Sequence, residues 1–416
     1  MNLVVAIGGL AFLILIHEAG HFLVALAVRM RPRRFYVFFP PALVKRTWRG
    51  IEYGLGSIPL GGYVKIPGMH KPAAGDLEAH LERARGEAPW LDEYAAPVQQ
   101  ALAEDRLANA RAGFPDLRQA LSRADLSEPA RRTAERGLND VEDGLSGDAY
   151  WRAPAWKRIA VIVAGPGVNL VFAVGVLAVV FMLGIPEGAT RMVEEVSPDR
   201  PAAAAGLQPG DRVVAVGETR TPTFQAISDE IQGTEGRPVT ITVERDGREV
   251  ELGPVRPELE VGAPGAEDDR YIVGFRPEPA FYRSYGFFES FELAGRATWE
   301  VTKAIGASLG RIVTGSGRDE VASVVGITQA SSQSLEAGFR YYLQVLALIS
   351  LSLALLNLLP LLPLDGGHIA FSIVERIRGR AIPREAYERV SAIGIAVVLF
   401  LFVIGLTNDI GRIRDG

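Results

Sequence analysis

Apolar positions are unevenly spread along this chain. Four runs carry almost no charge: Leu3 to Val28, Ile159 to Ile185, Tyr341 to Leu362 and Ser391 to Leu406. About 20 apolar residues cross the hydrocarbon core of a bilayer as a helix, so the pattern predicts four membrane helices. Between the runs the period changes. Residues 50–67 alternate apolar and small positions with many glycines, which predicts a β-hairpin-like loop. Residues 71–150 are rich in Ala, Arg, Glu and Leu, with punctuation at Pro89, Pro97, Gly113-Phe114-Pro115 and Pro129. Two to four short solvated helices are expected there. From 188 to 277, short β-type runs appear at Arg191–Val196, Arg212–Val216, Val239–Arg245 and Glu249–Leu252. A helical stretch, Phe224 to Gln232, lies among them, so a small α+β module is expected. In residues 286–315 the apolar positions Phe288, Phe291, Trp299, Ile305, Leu309 and Ile312 recur at helical spacing. That is the pattern of an amphipathic helix.

Composition alone would miss this division. The 416 residues are 48% hydrophobic and 22% charged, ordinary values for a globular protein. The net charge of −5 argues against a nucleic-acid partner. The charge is local: residues 71–150 hold 10 basic and 16 acidic side chains, against 34 and 33 elsewhere. Zero cysteine excludes a disulfide framework, a Cys-ligated metal and a thiol nucleophile. The first run is no signal peptide by pattern: Met1-Asn2 carries no basic side chain, and the run contains His17, Glu18 and His21. Basic clusters follow the first run (Arg29, Arg31, Arg33, Arg34), precede the second (Lys157, Arg158) and separate the third from the fourth (Arg376, Arg378, Arg380). All three lie on the cytoplasmic side if both termini are outside.

The chemistry sits inside the apolar runs. His17-Glu18-Ala19-Gly20-His21 is an HExxH pattern. On a helix, positions i and i+4 share one face, so both imidazoles reach one metal ion, with Glu18 close by as a base. Burying a glutamate in such a run costs several kcal/mol unless it is neutral, paired or near a metal. Zinc needs a third protein ligand. His70 and His80 belong to the charged insert and are expected to be incidental. The segment from Asn357 to His368, NLLPLLPLDGGH, closes the third run, with Pro360 and Pro363 breaking the helix and Gly366-Gly367 freeing the backbone. Asp365 is favoured as the third ligand, with His368 as its rival. Asn357 is either a helix-capping residue at the break or a polar contact to substrate backbone.

These motifs resemble the site-2 proteases, the intramembrane zinc metalloproteases. HEAGH at 17–21 and NLLPLLPLDGG at 357–367 carry the resemblance. AGPGVN at 164–169 is similar to the GPxxN motif of that family's second core helix, and GLGSIPLGGYV at 54–64 to its membrane re-entrant β-loop. VSPDRPAAAAGLQPGDRVVAV at 196–216 resembles a PDZ domain of the bacterial-protease type. The resemblance implies zinc held by His17, His21 and Asp365, with Glu18 as catalytic base. Asn357 and the loop residues Gly61, Gly62 and Tyr63 would contact substrate. It also implies a membrane α-helical fold of four transmembrane helices, with an inserted α+β PDZ-like domain and a mainly helical cytoplasmic insert.

The expected order is a first transmembrane helix at 1–30, the re-entrant β-loop region at 31–69, the helical insert at 70–150 and a second transmembrane helix at 151–186. The PDZ domain follows at 187–280, amphipathic helices and linker at 281–337, the third transmembrane helix with the LDG motif at 338–380, and the fourth with the C-terminus at 381–416. The implied activity is an intramembrane endopeptidase that cuts single-pass membrane proteins, such as an anti-sigma factor or a signal-peptide remnant, in a bacterial inner membrane. Both termini and the PDZ domain would lie outside, and the partners are that substrate and the lipid bilayer. The competing reading is an inactive membrane scaffold that binds peptides through its PDZ domain. The insert at 70–150 has no counterpart in the motif pattern.

Overall fold

The computed structural model describes residues 2–260, 270–314, 323–380, 382 and 384–415. They fall into two compact units.

The first unit comprises Met1–Ala173, Thr328–Glu336 and Leu348–Val403. It opens with helix α1 (Asn2–Ala27), then two long antiparallel strands, β1 (Arg34–Trp48) and β2 (Ile51–Lys65). Each strand is bent and pairs twice. Residues 34–37 pair with 52–55 on one side and with 62–65 on the other, while 44–48 pair with 51–55. The result is a small sheet in which 62–65 is an edge. The sequence pattern located the glycine-rich half of this hairpin. It did not locate β1, where Pro40-Pro41 interrupts the alternation at the point where the pairing register breaks.

Four helices follow: α2 (Ala74–Glu87), α3 (Asp92–Ala103), α4 (Leu107–Arg123) and α5 (Glu128–Leu145). Their apolar stripes, including Leu77, Leu81, Val98, Phe114, Leu117 and Leu138, close on one another as a single buried core. Helix α5 shows why: Ala130, Ala134, Leu138, Val141 and Leu145 recur at three or four and are all buried. Ser127 caps it by accepting from the backbone N–H of Ala130. Two expected breaks are not breaks, since Pro97 lies inside α3 and Pro115 inside α4. Each proline removes the N–H that its i−4 carbonyl would accept. Glu93 and Arg111, which own those carbonyls, are exposed, so water can supply the missing donor.

Helix α6 (Ala155–Leu183) carries the second apolar run. The second unit comprises Val174–Ile327, Ala337–Ala347 and Ile404–Gly416. Within it lie β3 (Ile185–Val196), α7 (Pro201–Ala204), β4 (Arg212–Val216), β5 (Thr219–Arg220), α8 (Phe224–Gly233), β6 (Val239–Arg245), β7 (Arg248–Val255), β8 (Glu258–Glu260), β9 (Arg270–Ile272) and β10 (Phe275–Arg283). The main sheet is antiparallel with the order β10-β3-β4-β6-β7. Val193, Val213, Ile241 and Val243 meet Ile227 and Ile231 of α8 in its core. Strand β10 escaped the sequence pattern because Pro277 and Pro279 lie in it. An edge strand tolerates them, and the pairing with β3 is bulged at those positions.

The amphipathic run is one helix, α9 (Phe287–Thr314), followed by α10 (Val324–Ala337), α11 (Phe339–Asn357), α12 (Asp365–Arg378) and α13 (Arg384–Asp415). Among the described residues, four helical stretches are long and apolar enough to cross a membrane: Asn2–Ala27, Ala155–Leu183, Phe339–Asn357 and Ala386–Gly411. The third is shorter than the apolar run. It stops at Asn357 because Pro360 cannot donate to the previous turn and the residue before a proline avoids helical backbone. The fourth extends beyond Leu406 because a polar residue near its end has a use. Asp409 is buried and accepts from the backbone N–H of Ser323 at 2.8 Å and of Gly326 at 2.9 Å, capping α10.

Candidate metal centre

Helix α1 places His17 and His21 one turn apart on a buried face. The chain reverses after α11, and Asp365 opens α12. Gly366 and Gly367 are helical here, so the backbone freedom expected of them is not what the turn uses. Their role is absence of bulk: a Cβ on Gly366 would lie 2.2 Å from the carbonyl oxygens of Leu358 and Leu359. That close approach turns the chain back and sets Asp365 against the two histidines.

The three side chains converge. His17 Nε2 lies 3.2 Å from Asp365 Oδ2, His21 Nε2 lies 3.3 Å from the same oxygen, and the two Nε2 atoms are 3.2 Å apart. A tetrahedral zinc with bonds of about 2.0–2.1 Å sets its ligand atoms about 3.3 Å apart. The triangle therefore has the dimensions of one face of a zinc tetrahedron. His17, His21 and Asp365 are the group among the described residues that could hold a metal ion. The outer ring nitrogens support this. His21 Nδ1 lies 2.8 Å from the Val161 carbonyl oxygen and donates to it, which leaves the Nε2 lone pair free. His17 Nδ1 lies 3.4 Å from the side-chain amide of Asn169, whose Oδ1 is buried and otherwise without a partner. With that amide turned to accept from Nδ1–H, both groups are satisfied and the second Nε2 also faces inward with a lone pair. Three converging lone pairs and one negative charge call for a cation.

Asn169 stands in the AGPGVN segment at 164–169, to which the sequence alone assigns no role of its own. The signal was an amide inside an apolar run, and the structure makes it the orienting partner of His17. It is fully buried, and its own carbonyl accepts from Ser350 Oγ at 2.9 Å. Four residues earlier, Gly165 lets α6 pass the cluster. A Cβ there would lie 2.3 Å from His21 Nε2 and 2.8 Å from His17 Nε2, in the space a metal needs.

Glu18 faces the edge strand. The backbone N–H of Val64 lies near its carboxylate. A Cβ on Gly62 would lie 2.1 Å from Glu18 Cγ. Gly62→Ala must displace either the carboxylate or the strand. Misplacement by about 1 Å can cost about 100-fold in rate, so kcat should fall about 10- to 100-fold with bound zinc unchanged. Rate and metal content measured on one preparation check this.

A cavity of about 650 Å³ joins these parts, lined by the cluster, Glu18, Gly62, Tyr63 and Asn357. Gly61 does not line it; it lies under the Phe39 ring, which a Cβ would meet at 2.7 Å. Asn357 Nδ2 donates to the Leu353 carbonyl at 3.0 Å, so the residue both closes α11 and borders the cavity. His368 borders the cavity too, but lies outside the three-ligand group, with its ring near Tyr387. The insert histidines are not remote from the site. His70 and His80 line the far wall of the same cavity, and His80 Nδ1 donates to the Asp76 carbonyl of its own helix.

The sequence pattern of Peptidase family M50 matches residues 5–401. The chain belongs to this family, the site-2 proteases. Its M50 relatives span nearly all of it. A protein of Agrobacterium fabrum named as a zinc metalloprotease is 32% identical over 97% of this chain and 94% of its own length. Protease RseP of Yersinia pestis is 28% identical, with 99% of each chain covered. Regulator of sigma-E protease RseP of Salmonella typhimurium is also 28% identical over 99% of each. The M50 protein is thus a zinc metalloprotease, with Zn2+ as its cofactor and apolar helices suited to a membrane. Nothing in these matches favours an inactive scaffold.

Proposed function

We propose that this chain is an intramembrane endopeptidase of the RseP type, cutting the transmembrane segments of single-pass membrane proteins such as an anti-sigma factor or a signal-peptide remnant. One observation carries this reading: the HExxH side chains of a long apolar helix meet the LDG aspartate where α12 begins, beside the edge of a strand.

His17, His21 and Asp365 would hold zinc, and Glu18 would be the base. Zinc, when bound, supplies Lewis acidity that lowers the pKa of water and polarises a carbonyl. Glu18 takes a proton from the attacking water and returns it to the leaving amine. A membrane helix hides its peptide bonds, so it must unwind before attack. Strand 62–65 offers backbone groups to an extended substrate, and Asn357 offers an amide at the same cavity. Gly62 and Tyr63 line that strand's approach to Glu18, with Gly61 supporting it from below.

Residues 187–280 form a PDZ-type module. Support comes from the antiparallel sheet with α8 against it, and from a groove of about 530 Å³ bordered by Phe224, Ile227 and Phe275. The basic flanks support a topology with both termini and this module on the outer face of a bacterial inner membrane, and the insert in the cytoplasm.

The test is to map the cut. Purified protein reconstituted with a single-pass reporter should yield fragments whose new ends, by mass, lie within the apolar segment. Ends confined to the soluble flanks would overturn the reading.

A further inference from the structure

The helical insert meets the small sheet at a defined point. Asp143, near the end of α5, has a side chain 17% exposed. Its Oδ1 accepts from Arg33 Nε at 2.9 Å, and its Oδ2 lies 3.1 Å from Lys65 Nζ. Arg33 also donates to both carboxylate oxygens of Asp148 at 3.1 Å, and Lys65 to Asp140 at 2.7 Å. The two cations are adjacent strand ends: the Arg33 N–H donates to the Lys65 carbonyl at 2.7 Å. One insert carboxylate therefore bridges the base of the 34–37 and 62–65 pair. The next residues along that second strand, Val64 and Gly62, are those against Glu18.

We propose that the insert is a clamp on the strand facing Glu18, with Asp143 as its positioning residue. An edge strand has neighbours on one side only and opens more readily than a central one. The pairing of this one is regular but only four residues long, Arg34–Val37 against Gly62–Lys65, so few hydrogen bonds within the sheet hold it. A carboxylate shared by two part-buried cations ties both strand ends to one point of α5, which their separate contacts with Asp148 and Asp140 do not. Burial by itself would lower the Lys65 pKa; the hydrogen bonds and charges of Asp140 and Asp143 outweigh it and leave it above the ordinary lysine value. Asp143 is not part of the insert's apolar core, which closes through Leu77, Leu81, Leu117 and Leu138. Its carboxylate is directed at the sheet.

This inference rests on reading 62–65 as the strand that presents substrate to Glu18, but its test needs no cleavage. In the full-length protein in detergent, Asp143→Asn should raise amide hydrogen exchange across 62–65 by at least about tenfold, the effect of losing one charged hydrogen bond. Exchange in α2 and α5 and the bound zinc should not change, and Asp143→Glu should restore slow exchange. Tyr63→Cys supplies the sole thiol of the chain, and its labelling by maleimide should quicken in the Asp143→Asn background. Unchanged exchange at 62–65 overturns the clamp. If α2 and α5 loosen as well, Lys65→Met decides, because it breaks the same bridge from the strand side. Slow exchange at 62–65 in Lys65→Met would then overturn the proposal. Absence of peptidase activity in the native protein would bear on the functional reading alone.

Discussion

Glu18→Gln should keep one zinc per chain and lose cleavage of a single-pass reporter by about 1,000- to 10,000-fold, the upper part of the range for a general acid–base group. The reason lies in the division of labour at positions 17–21. The converging atoms that could hold a metal ion belong to His17, His21 and Asp365, each 3.2–3.3 Å from the others. Glu18 is not among them; it turns toward Gly62 and Val64. Glutamine keeps the shape and keeps a carbonyl oxygen on the side of the strand. It cannot accept and return a proton. Metal analysis and cleavage rate on the same sample separate the outcomes. Full activity of the purified variant would remove Glu18 from the role of base, and loss of zinc would make it a ligand. The inactive variant should also retain uncut single-pass proteins through purification, which gives a route to the natural substrate.

The second large effect concerns the third ligand. Asp365→Asn should weaken zinc retention at least about 100-fold, since even partners one shell removed from a metal are worth about 10- to 100-fold. His368→Ala should leave it unchanged. The two residues are three apart on α12 and both border the cavity. Only Asp365 closes the triangle with the histidines. Its charge also matters, because an amide oxygen leaves the cation with two neutral imidazoles. Zinc content after dialysis against a chelator of graded strength measures both variants. Retention by Asp365→Asn together with loss from His368→Ala would reverse the assignment.

The insert gives these expectations a context. Its far wall brings His70 and His80 to the same cavity as the metal cluster. Residues that looked incidental by position in the sequence are therefore neighbours of the chemistry in space.

Local pattern was sufficient wherever one element carries the information. HExxH needs only the helical period to put His17 and His21 on one face, and an apolar run declares the helix around it. The absence of cysteine left histidine and carboxylate as the donors. The stripe of α5 and the β-runs of residues 188–277 were readable for the same reason, a period repeated within one segment. Pattern failed where packing overrode it. Pro97 and Pro115 sit inside helices where Glu93 and Arg111, one turn earlier, are exposed and water can replace the lost donor, and β10 keeps two prolines because it is an edge. Distance in sequence hid the rest. Asp365 was favoured over His368 from the sequence, but its approach to His17, 348 residues away, depends on how tightly Gly366 lets the chain turn against Leu358. The role of Asn169 depends on α6 approaching α1 at Gly165, and that of Asp143 on where the insert lands on the sheet. Sequence by itself determined which chemistry is present, because residue type and period are local. Tertiary structure decided which atoms share it, because a metal face about 3.3 Å on a side is set by backbones brought together from distant parts of the chain.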